Sequence, residues 1–277
     1  MRKPKRMTHS TNTIEIIKFM KDLASEAGAI VASYFQGCFT VQSKDEAPNG
    51  IDIVTDADKA SEHFIMDQIR KSFPAHDILT EETKTEITGS KFLWVVDPLD
   101  GTVNFSHSYP HFGISIGFME DNIIKAGVVF DPMRQEMFWA YRSGGAFLNE
   151  AAISVTQTDN LYRCIVGTGF PYDKAKSPIN NIKEFCQVIP KVQGVRRSGS
   201  AALDLAWVAC GRLDGFWELK LKPWDFMAGT ILAHEAGGKV TDRYGSSIEL
   251  WSPSIVAANT FIHYDLLRIL TPDDLKS

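Results

Sequence analysis

The spacing of apolar residues divides the chain into alternating helix and strand signals. Ile14, Ile17, Leu23, Ala27, Ile30, Val31 and Tyr34 keep nearly helical spacing, which predicts an amphipathic helix over 13–36 with Gly37 as its stop. Residues 38–43 read as a strand and 45–50 as a polar loop. Thr55 to Asp58 forms a capping-box pattern, opening a helix that runs to about Phe73, ahead of Pro74. A short apolar run from Ile78 ends in Glu81 and Glu82, and a buried strand from Phe92 to Val96 ends in Asp97. Further strands follow at 112–119, 123–130, 136–141 and 146–148. Asp-Asn, Asp-Pro and Gly-Gly turns separate them, which predicts an antiparallel meander.

The second half alternates again. Strands are expected at 164–169, 194–197, 216–221, 239–242 and 255–258, and helices at 178–189, 200–210, 225–236 and 263–270. No internal repeat and no low-complexity linker separates the halves. One domain over 13–277 is expected, with halves of about 13–150 and 151–277 sharing one cleft.

Composition narrows the class. The chain has 277 residues, 44% hydrophobic and 23% charged, with a net charge of −5. That balance gives no support to nucleic acid or an anionic membrane as the main partner. The exception is Arg2, Lys3, Lys5 and Arg6, a basic run in an N-terminal segment, 1–12, expected to be a disordered tail. No apolar segment follows it as a secretory signal would require, and no apolar run is long enough to span a bilayer. Cys38, Cys164, Cys186 and Cys210 are scattered without a CxxC pair, which argues against zinc and fits a reducing cytoplasm. His107 and His111 read as surface or packing residues, because the chemistry between Asp97 and Thr102 favours a hard ion with oxygen ligands.

That chemistry sits in Trp94-Val95-Val96-Asp97-Pro98-Leu99-Asp100-Gly101-Thr102-Val103-Asn104-Phe105. Pro98 stiffens the backbone between two carboxylates, and Gly101 permits a conformation or approach that a Cβ forbids. Two carboxylates held this close repel unless cations lie between them, and Mg²⁺ is a natural partner. Gly101 and Thr102 add N–H groups and a hydroxyl suited to a phosphate. Asp52 precedes the capping box, whereas Thr55 and Asp58 read as capping residues. Asp225, at the start of a predicted helix, reads either as an N-cap or as a ligand to a cation that also meets a substrate phosphate.

These motifs together resemble the inositol monophosphatase family. They are Glu81-Glu82, the Trp94–Phe105 stretch, Trp224-Asp225-Phe226-Met227-Ala228-Gly229 and Glu235-Ala236-Gly237-Gly238, with Asp52-Ile53-Val54-Thr55 and Asp58 upstream. The resemblance spans roughly 15–265 and is closest to the bacterial members. It implies an α/β fold of α-β-α-β-α layers. It also implies Mg²⁺, two or three ions, held by Glu81, Asp97, the Leu99 carbonyl, Asp100 and Asp225. Gly101, Thr102 and Val103 would meet the phosphate. Asp52 would pair with Thr102, and Arg196, Ser200, Ala201, Ala202 and Glu218 would face the alcohol. Thr80 and Val103 depart from the family's usual Gly and Thr, and Val103 can offer only its backbone N–H.

The expected reaction is hydrolysis of a small sugar or polyol phosphate monoester, with inositol 1-phosphate leading. Two ions roughly 3.5–4 Å apart could activate water and stabilise the leaving alkoxide. Asp97 is best placed to bridge them, and Glu81 and Thr102, backed by Asp52, would orient the water. Alternatives are fructose 1,6-bisphosphate, histidinol phosphate or 3′-phosphoadenosine phosphate as substrate. Another is a regulatory protein on the same fold, since some bacterial relatives are implicated in transcription or RNA processing. The resemblance further implies a cytoplasmic homodimer and inhibition by Li⁺.

Overall fold

The computed structural model describes residues 13–35, 37–44, 52–85 and 87–271. The expected tail over 1–12 and the polar loop over 45–50 lie outside the described residues. Helix α1 (Thr13–Phe35) buries Ile16, Ile17, Met20, Leu23, Ala24, Ala27, Gly28 and Val31 along one face. A short antiparallel ribbon, β1 (Val41–Ser43) with β2 (Ile53–Thr55), leads into α2 (Asp56–Ser72). The expected capping box is present. Thr55 Oγ1 accepts from the Ala57 N–H at 3.2 Å, and the Asp58 carboxylate accepts from the Thr55 N–H at 2.8 Å.

The larger sheet follows in chain order: β3 (Asp77–Thr80), β4 (Phe92–Asp100), β5 (Gly113–Glu120), β6 (Ile123–Asp131), β7 (Glu136–Tyr141), β8 (Gly145–Leu148) and β9 (Ala151–Ile153). β3 and β4 are parallel, and every later neighbour pair is antiparallel, as the meander required. A five-residue helix, α3 (Thr102–Ser106), lies between β4 and β5. Periodicity over so few residues carries no signal for it.

The second half supplies β10 (Ile165–Thr168), α4 (Ile182–Val188), β11 (Gly194–Arg196), α5 (Ala201–Ala209), β12 (Gly215–Leu219), α6 (Pro223–Glu235), β13 (Lys239–Thr241), β14 (Ser254–Ala258) and α7 (His263–Leu270). Its sheet runs β11-β10-β12-β14-β13. α4 starts at Ile182 and not at Pro178. Asn181 has φ 69°, and its buried side chain donates to the Gly169 carbonyl at 2.6 Å and accepts from Trp217 Nε1 at 2.7 Å. Those bonds tie residue 181 to the sheet and hold it out of the helix.

The elements stack in five layers: α1 and α2, the seven-stranded sheet, α5 and α6, the five-stranded sheet, then α4 and α7. β4 makes the reason visible. Trp94 and Val96 pack in the core under α1 and α2, while Leu93 and Val95 pack in the core against α5 and α6. A strand covered on both faces reads as a continuous apolar run, as this one does. α6 sits very close to the sheet because β6 carries Gly127 beneath it. A Cβ there would lie 2.6 Å from Ile231 Cγ2 and 2.7 Å from the Ala228 carbonyl oxygen.

Candidate active site

The ends of β3 and β4 and the start of α6 meet around a cleft of about 300 Å³. β4 runs to Asp100, past the expected end at Val96, and carries a bulge on the way. Asp97 pairs with Ser115 and Asp100 with Gly113, so three steps on β4 oppose two on β5. In a regular strand, residues three apart point to opposite faces; the extra residue restores the phase, and both carboxylates line the cleft. Pro98 fits this irregularity because a bulge leaves its missing N–H without consequence. The Leu99 N–H donates to Asp97 Oδ1 at 3.0 Å, and the Pro98 carbonyl accepts from Ser61 Oγ at 2.8 Å.

Gly101 then takes φ 99°, and a Cβ would come within 3.1 Å of the His111 carbonyl and 3.3 Å of the Gly199 carbonyl. It opens α3, whose first-turn N–H groups have no intrahelical acceptor. Gly101, Thr102 and Val103 all line the cleft. Asn104 holds this turn to the second half, donating from Nδ2 to the His111 carbonyl at 2.7 Å and the Ser198 carbonyl at 2.8 Å.

The carboxylate paired with Thr102 is Asp58, not Asp52. Thr102 Oγ1 stands 2.9 Å from Asp58 Oδ1, with the Leu99 carbonyl as a second acceptor at 3.1 Å. Asp58 Oδ2 is meanwhile held by the Thr55 N–H and by Thr55 Oγ1 at 2.5 Å. One carboxylate thus caps α2 with one oxygen and meets Thr102 with the other. Asp52 lies at the cleft edge, 3.8 Å from Lys44 Nζ. The capping pattern hid the second bond, because it spans 44 residues of sequence.

Asp225 is the third residue of α6 and not its N-cap: the helix begins at Pro223, and Asp225 Oδ2 accepts from the Lys222 N–H at 2.7 Å. Ser115, the cross-strand partner of Asp97, donates to the Trp224 carbonyl at 3.1 Å and so ties the start of α6 to the sheet beside Asp97. Nothing in the strand pattern marked Ser115 for that task. Asp100 Oδ2 accepts from Ser200 Oγ at 2.5 Å and from the Ala202 N–H at 2.8 Å. Ser200 and Ala201 line the cleft, whereas Ala202 reaches it only through Asp100. Arg196 does not face the cleft. Its Nη1 turns back to the Val195 carbonyl, and the neighbouring Arg197 lines the site instead. Glu218 lies on the wall as expected, joined by Asp204, whose carboxylate accepts from Ser198 Oγ at 2.5 Å. His111 is buried with its ring edge-on to Trp207, and His107 is exposed.

Burial and mutual repulsion push these acids up. Asp97 is well above the usual carboxylate range through burial, then through the charges of Glu81, Asp100 and Asp225. Asp225 is raised by burial and by Glu81. Burial lifts Asp100 to about 6 against the pull of Ser200, and lifts Glu218 and Asp204 each to about 8. Glu81 is raised by burial, with Lys44 opposing. Lys44 Nζ stands 2.7 Å from Glu81 Oε1 and 2.7 Å from Glu82 Oε1. Burial alone would lower Lys44; the two glutamates outweigh it and hold it above its ordinary value.

Among the described residues, no three Asp, Glu, His or Cys side chains converge closely enough to enclose an ion as they stand. Each carboxylate is engaged by a protein donor: Lys44, Leu99, Ser200 or Lys222. The donor set is nevertheless all oxygen and strongly acidic, and the Lys44 ammonium already acts as a cation between Glu81 and Glu82. Those are the properties that suit Mg²⁺.

The inositol monophosphatase family model matches residues 12–272. The chain belongs to the inositol monophosphatase family. It is 44% identical over 245 residues to the inositol-1-monophosphatase of Synechocystis sp., covering 88% of this chain and 84% of the relative. It is 42% identical over 237 residues to Nus factor SuhB of Escherichia coli, covering 85% of this chain and 88% of that protein. The solved inositol monophosphatase of Anabaena (Nostoc) sp. superposes with a TM-score of 0.84 at 41% identity, covering 95% of this chain and 98% of the other.

Inositol monophosphatase membership carries phosphatase activity, small phosphate substrates and general metal dependence at the level of the family. Not every motif residue of the family lies in the cleft. Glu235, of Glu235-Ala236-Gly237-Gly238, accepts from the Ser143 N–H at 2.9 Å and the Gly145 N–H at 3.0 Å, which secures the turn between β7 and β8. Among the described residues, no helix is long and apolar enough to cross a membrane.

Proposed function

We propose that this chain is a Mg²⁺-dependent phosphatase of small sugar or polyol phosphate monoesters, with inositol 1-phosphate as the leading substrate. The observation that carries this reading is the meeting of Glu81, Asp97, Asp100, Asp225 and Thr102 in one cleft, with buried Asp58 bonded to Thr102 behind it. Carboxylates there outnumber Lys and Arg, so a phosphate dianion would be repelled without added cations.

Glu81, Asp97 and the Leu99 carbonyl would hold one ion, and Asp97, Asp100 and Asp225 a second, for two or three ions in all. Bound Mg²⁺ would lower the pKa of the attacking water and stabilise the departing alkoxide. Thr102 Oγ1 orients that water, and Asp58 fixes the hydroxyl and helps accept the proton. Burial raises Asp58 above its ordinary value despite its bonds to Thr55 and Thr102, which makes it a better proton acceptor. The N–H groups of Gly101, Thr102 and Val103 hold the phosphoryl oxygens. Ser200, Ala201, Arg197 and Glu218 face the alcohol, and Glu218→Gln shifts selectivity among sugar phosphates. Attack by water is direct, and no Ser, Cys or His is needed as a nucleophile.

The halves 13–150 and 151–277 act as one domain, in a cytoplasmic homodimer, and Li⁺ inhibits at limiting Mg²⁺ by taking a metal position. The test is turnover on a panel of inositol 1-phosphate, fructose 1,6-bisphosphate, histidinol phosphate and 3′-phosphoadenosine phosphate, with and without Mg²⁺. No hydrolysis of any of them with Mg²⁺ would sink the reading. The relatives named Nus factor SuhB favour a second role with the transcription machinery, carried on the same fold. A salt-dependent shift on adding RNA or RNA polymerase would support that role.

A further inference from the structure

Glu81 stands just beyond the last ladder pair of its strand, Thr80 with Val96. Past that pair the sheet no longer holds the chain. The hold comes from Glu62, a buried carboxylate on α2. Its Oε1 accepts from Thr80 Oγ1 at 2.7 Å, from the Glu82 N–H at 3.0 Å and from the Thr83 N–H at 3.1 Å; its Oε2 accepts from Thr83 Oγ1 at 2.6 Å. These bonds reach the residue before Glu81 and the two after it, and none goes to Glu81 itself. The backbone around Glu81 is therefore fixed on both sides, while its own carboxylate faces the cleft and pairs with Lys44.

The same face of α2 repeats the device. Asp58, Ser61 and Glu62 lie at positions i, i+3 and i+4, one stripe of the helix. Asp58 meets Thr102, Ser61 meets the Pro98 carbonyl between the two cleft aspartates, and Glu62 holds the Glu81 turn. One rigid helix thereby sets three separate segments of the cleft relative to one another.

We infer that Glu62 is a positioning residue for Glu81, acting through its bonds to Thr80, Glu82 and Thr83, and that it thereby sets the affinity of the cleft for Mg²⁺. The inference rests on the reading of Glu81 as a metal ligand. A ligand pre-set by its neighbours loses less freedom when it binds, so loosening the turn weakens binding without removing a ligand.

Isothermal titration with Mg²⁺, run beside thermal melts, tests this on the full chain, Glu62→Ala, Glu62→Gln and Thr83→Val. Glu62→Ala should weaken Mg²⁺ binding about tenfold and raise the Mg²⁺ needed for half-maximal turnover, with a smaller loss of kcat at saturating Mg²⁺. Glu62→Gln keeps an acceptor oxygen for the N–H groups and should stay within about threefold of the parent. Thr83 is exposed, so Thr83→Val tests the same link with little risk to folding, and should bind Mg²⁺ more weakly at an unchanged melting temperature. Unchanged Mg²⁺ affinity in Glu62→Ala or, if that variant does not fold, in Thr83→Val overturns the inference while the phosphatase reading stands. Equal losses in Glu62→Ala and Glu62→Gln also overturn it, because they would mark the charge and not the hydrogen bonds as the cause. A parent chain that binds no Mg²⁺ overturns both.

Discussion

Ser200 and Asp100 lie 100 residues apart in sequence, and their side chains meet at 2.5 Å across the cleft. The bond joins the bulged end of β4 to the start of α5, where Ser200 also caps the helix by accepting from the Leu203 N–H at 3.3 Å. One hydroxyl therefore serves both halves. It also counters the burial that lifts Asp100 to about 6.

Ser200→Ala should expose that balance. Losing the donor raises Asp100 further, so protons compete better with Mg²⁺ for it. The Mg²⁺ required for half-maximal turnover should rise more at pH 6 than at pH 8, with roughly 0.5–2 kcal/mol of stability lost with the cap. Equal effects at the two pH values would count against Asp100 as a ligand.

Asp58 and Asp52 can be separated directly. Asp58→Asn and Thr102→Ala should each lower kcat by about a hundredfold or more with little change in KM, because both act on the water in the transition state. Asp52→Asn should cost less than about fivefold, the scale of losing a long, half-buried ion pair to Lys44 at the cleft edge. Steady-state kinetics on the three variants decides it, and a larger loss for Asp52→Asn would reverse the assignment.

The crowding of acids predicts a trade between activity and stability. Asp97→Asn should abolish turnover, since an amide is a poor bridge between cations. Yet it removes a buried charge that Glu81, Asp100 and Asp225 all repel, so the metal-free protein should melt higher. Asp225→Asn should also be severe for turnover. Its amide oxygen can still accept from Lys222, so α6 should begin as before. Unfolding of Asp225→Asn, or intact turnover, would make Asp225 a structural cap.

The same acids set how stability depends on pH. Asp100 is raised to about 6, Glu82 to about 7 by burial and Glu81, and Asp204 and Glu218 to about 8. Between about pH 4 and pH 8 the folded chain therefore binds protons that the unfolded chain has released. His76, His111 and His263, lowered to about 4 by burial, oppose this up to about pH 6.5, so stability falls chiefly as pH rises from there through about 8. Lys44 works outside the window: its raised value adds stability that is lost only as pH rises into the strongly alkaline range. Asp77 is held low despite burial by Thr88, Gly89 and Ser90, and its contribution is lost only as pH falls below the ordinary 3.8. In chelator, the melting temperature should drop by at least about 3 °C from pH 5.5 to pH 8.5, the shift of roughly 1 kcal/mol in a domain of this size. Added Mg²⁺ should flatten the curve; a melting temperature that rises with pH in chelator would show the sign to be wrong.

Much of this architecture is local and so was legible along the chain. The Thr55–Asp58 cap, the meander turns and the run from Phe92 into Asp97 each depend on residues a few positions apart. Glu62 was legible in principle. Ile65, Met66 and Ile69 form the buried stripe of α2, and carrying it back by helical spacing reaches Glu62, Ser61 and Asp58. A carboxylate on a buried stripe is the sign of a bonded task.

What the sequence determined by itself is most of the elements and the chemical kinds of residue at their ends: Glu81 after β3, Asp97 and Asp100 around a proline, and Asp225 at the start of α6. Only the tertiary structure decided which of them act together. The bulge put Asp97 and Asp100 on one face, and the packing of α2 gave Thr102 to Asp58 instead of Asp52. The geometry at the end of β11 turned Arg197 and not Arg196 to the cleft, and Ser115 fixed α6 beside Asp97. The physical reason is one of range. Period and turn chemistry are written in neighbouring residues, whereas a one-residue change of phase in a strand, or a hydrogen bond across 100 residues, depends on how the layers pack.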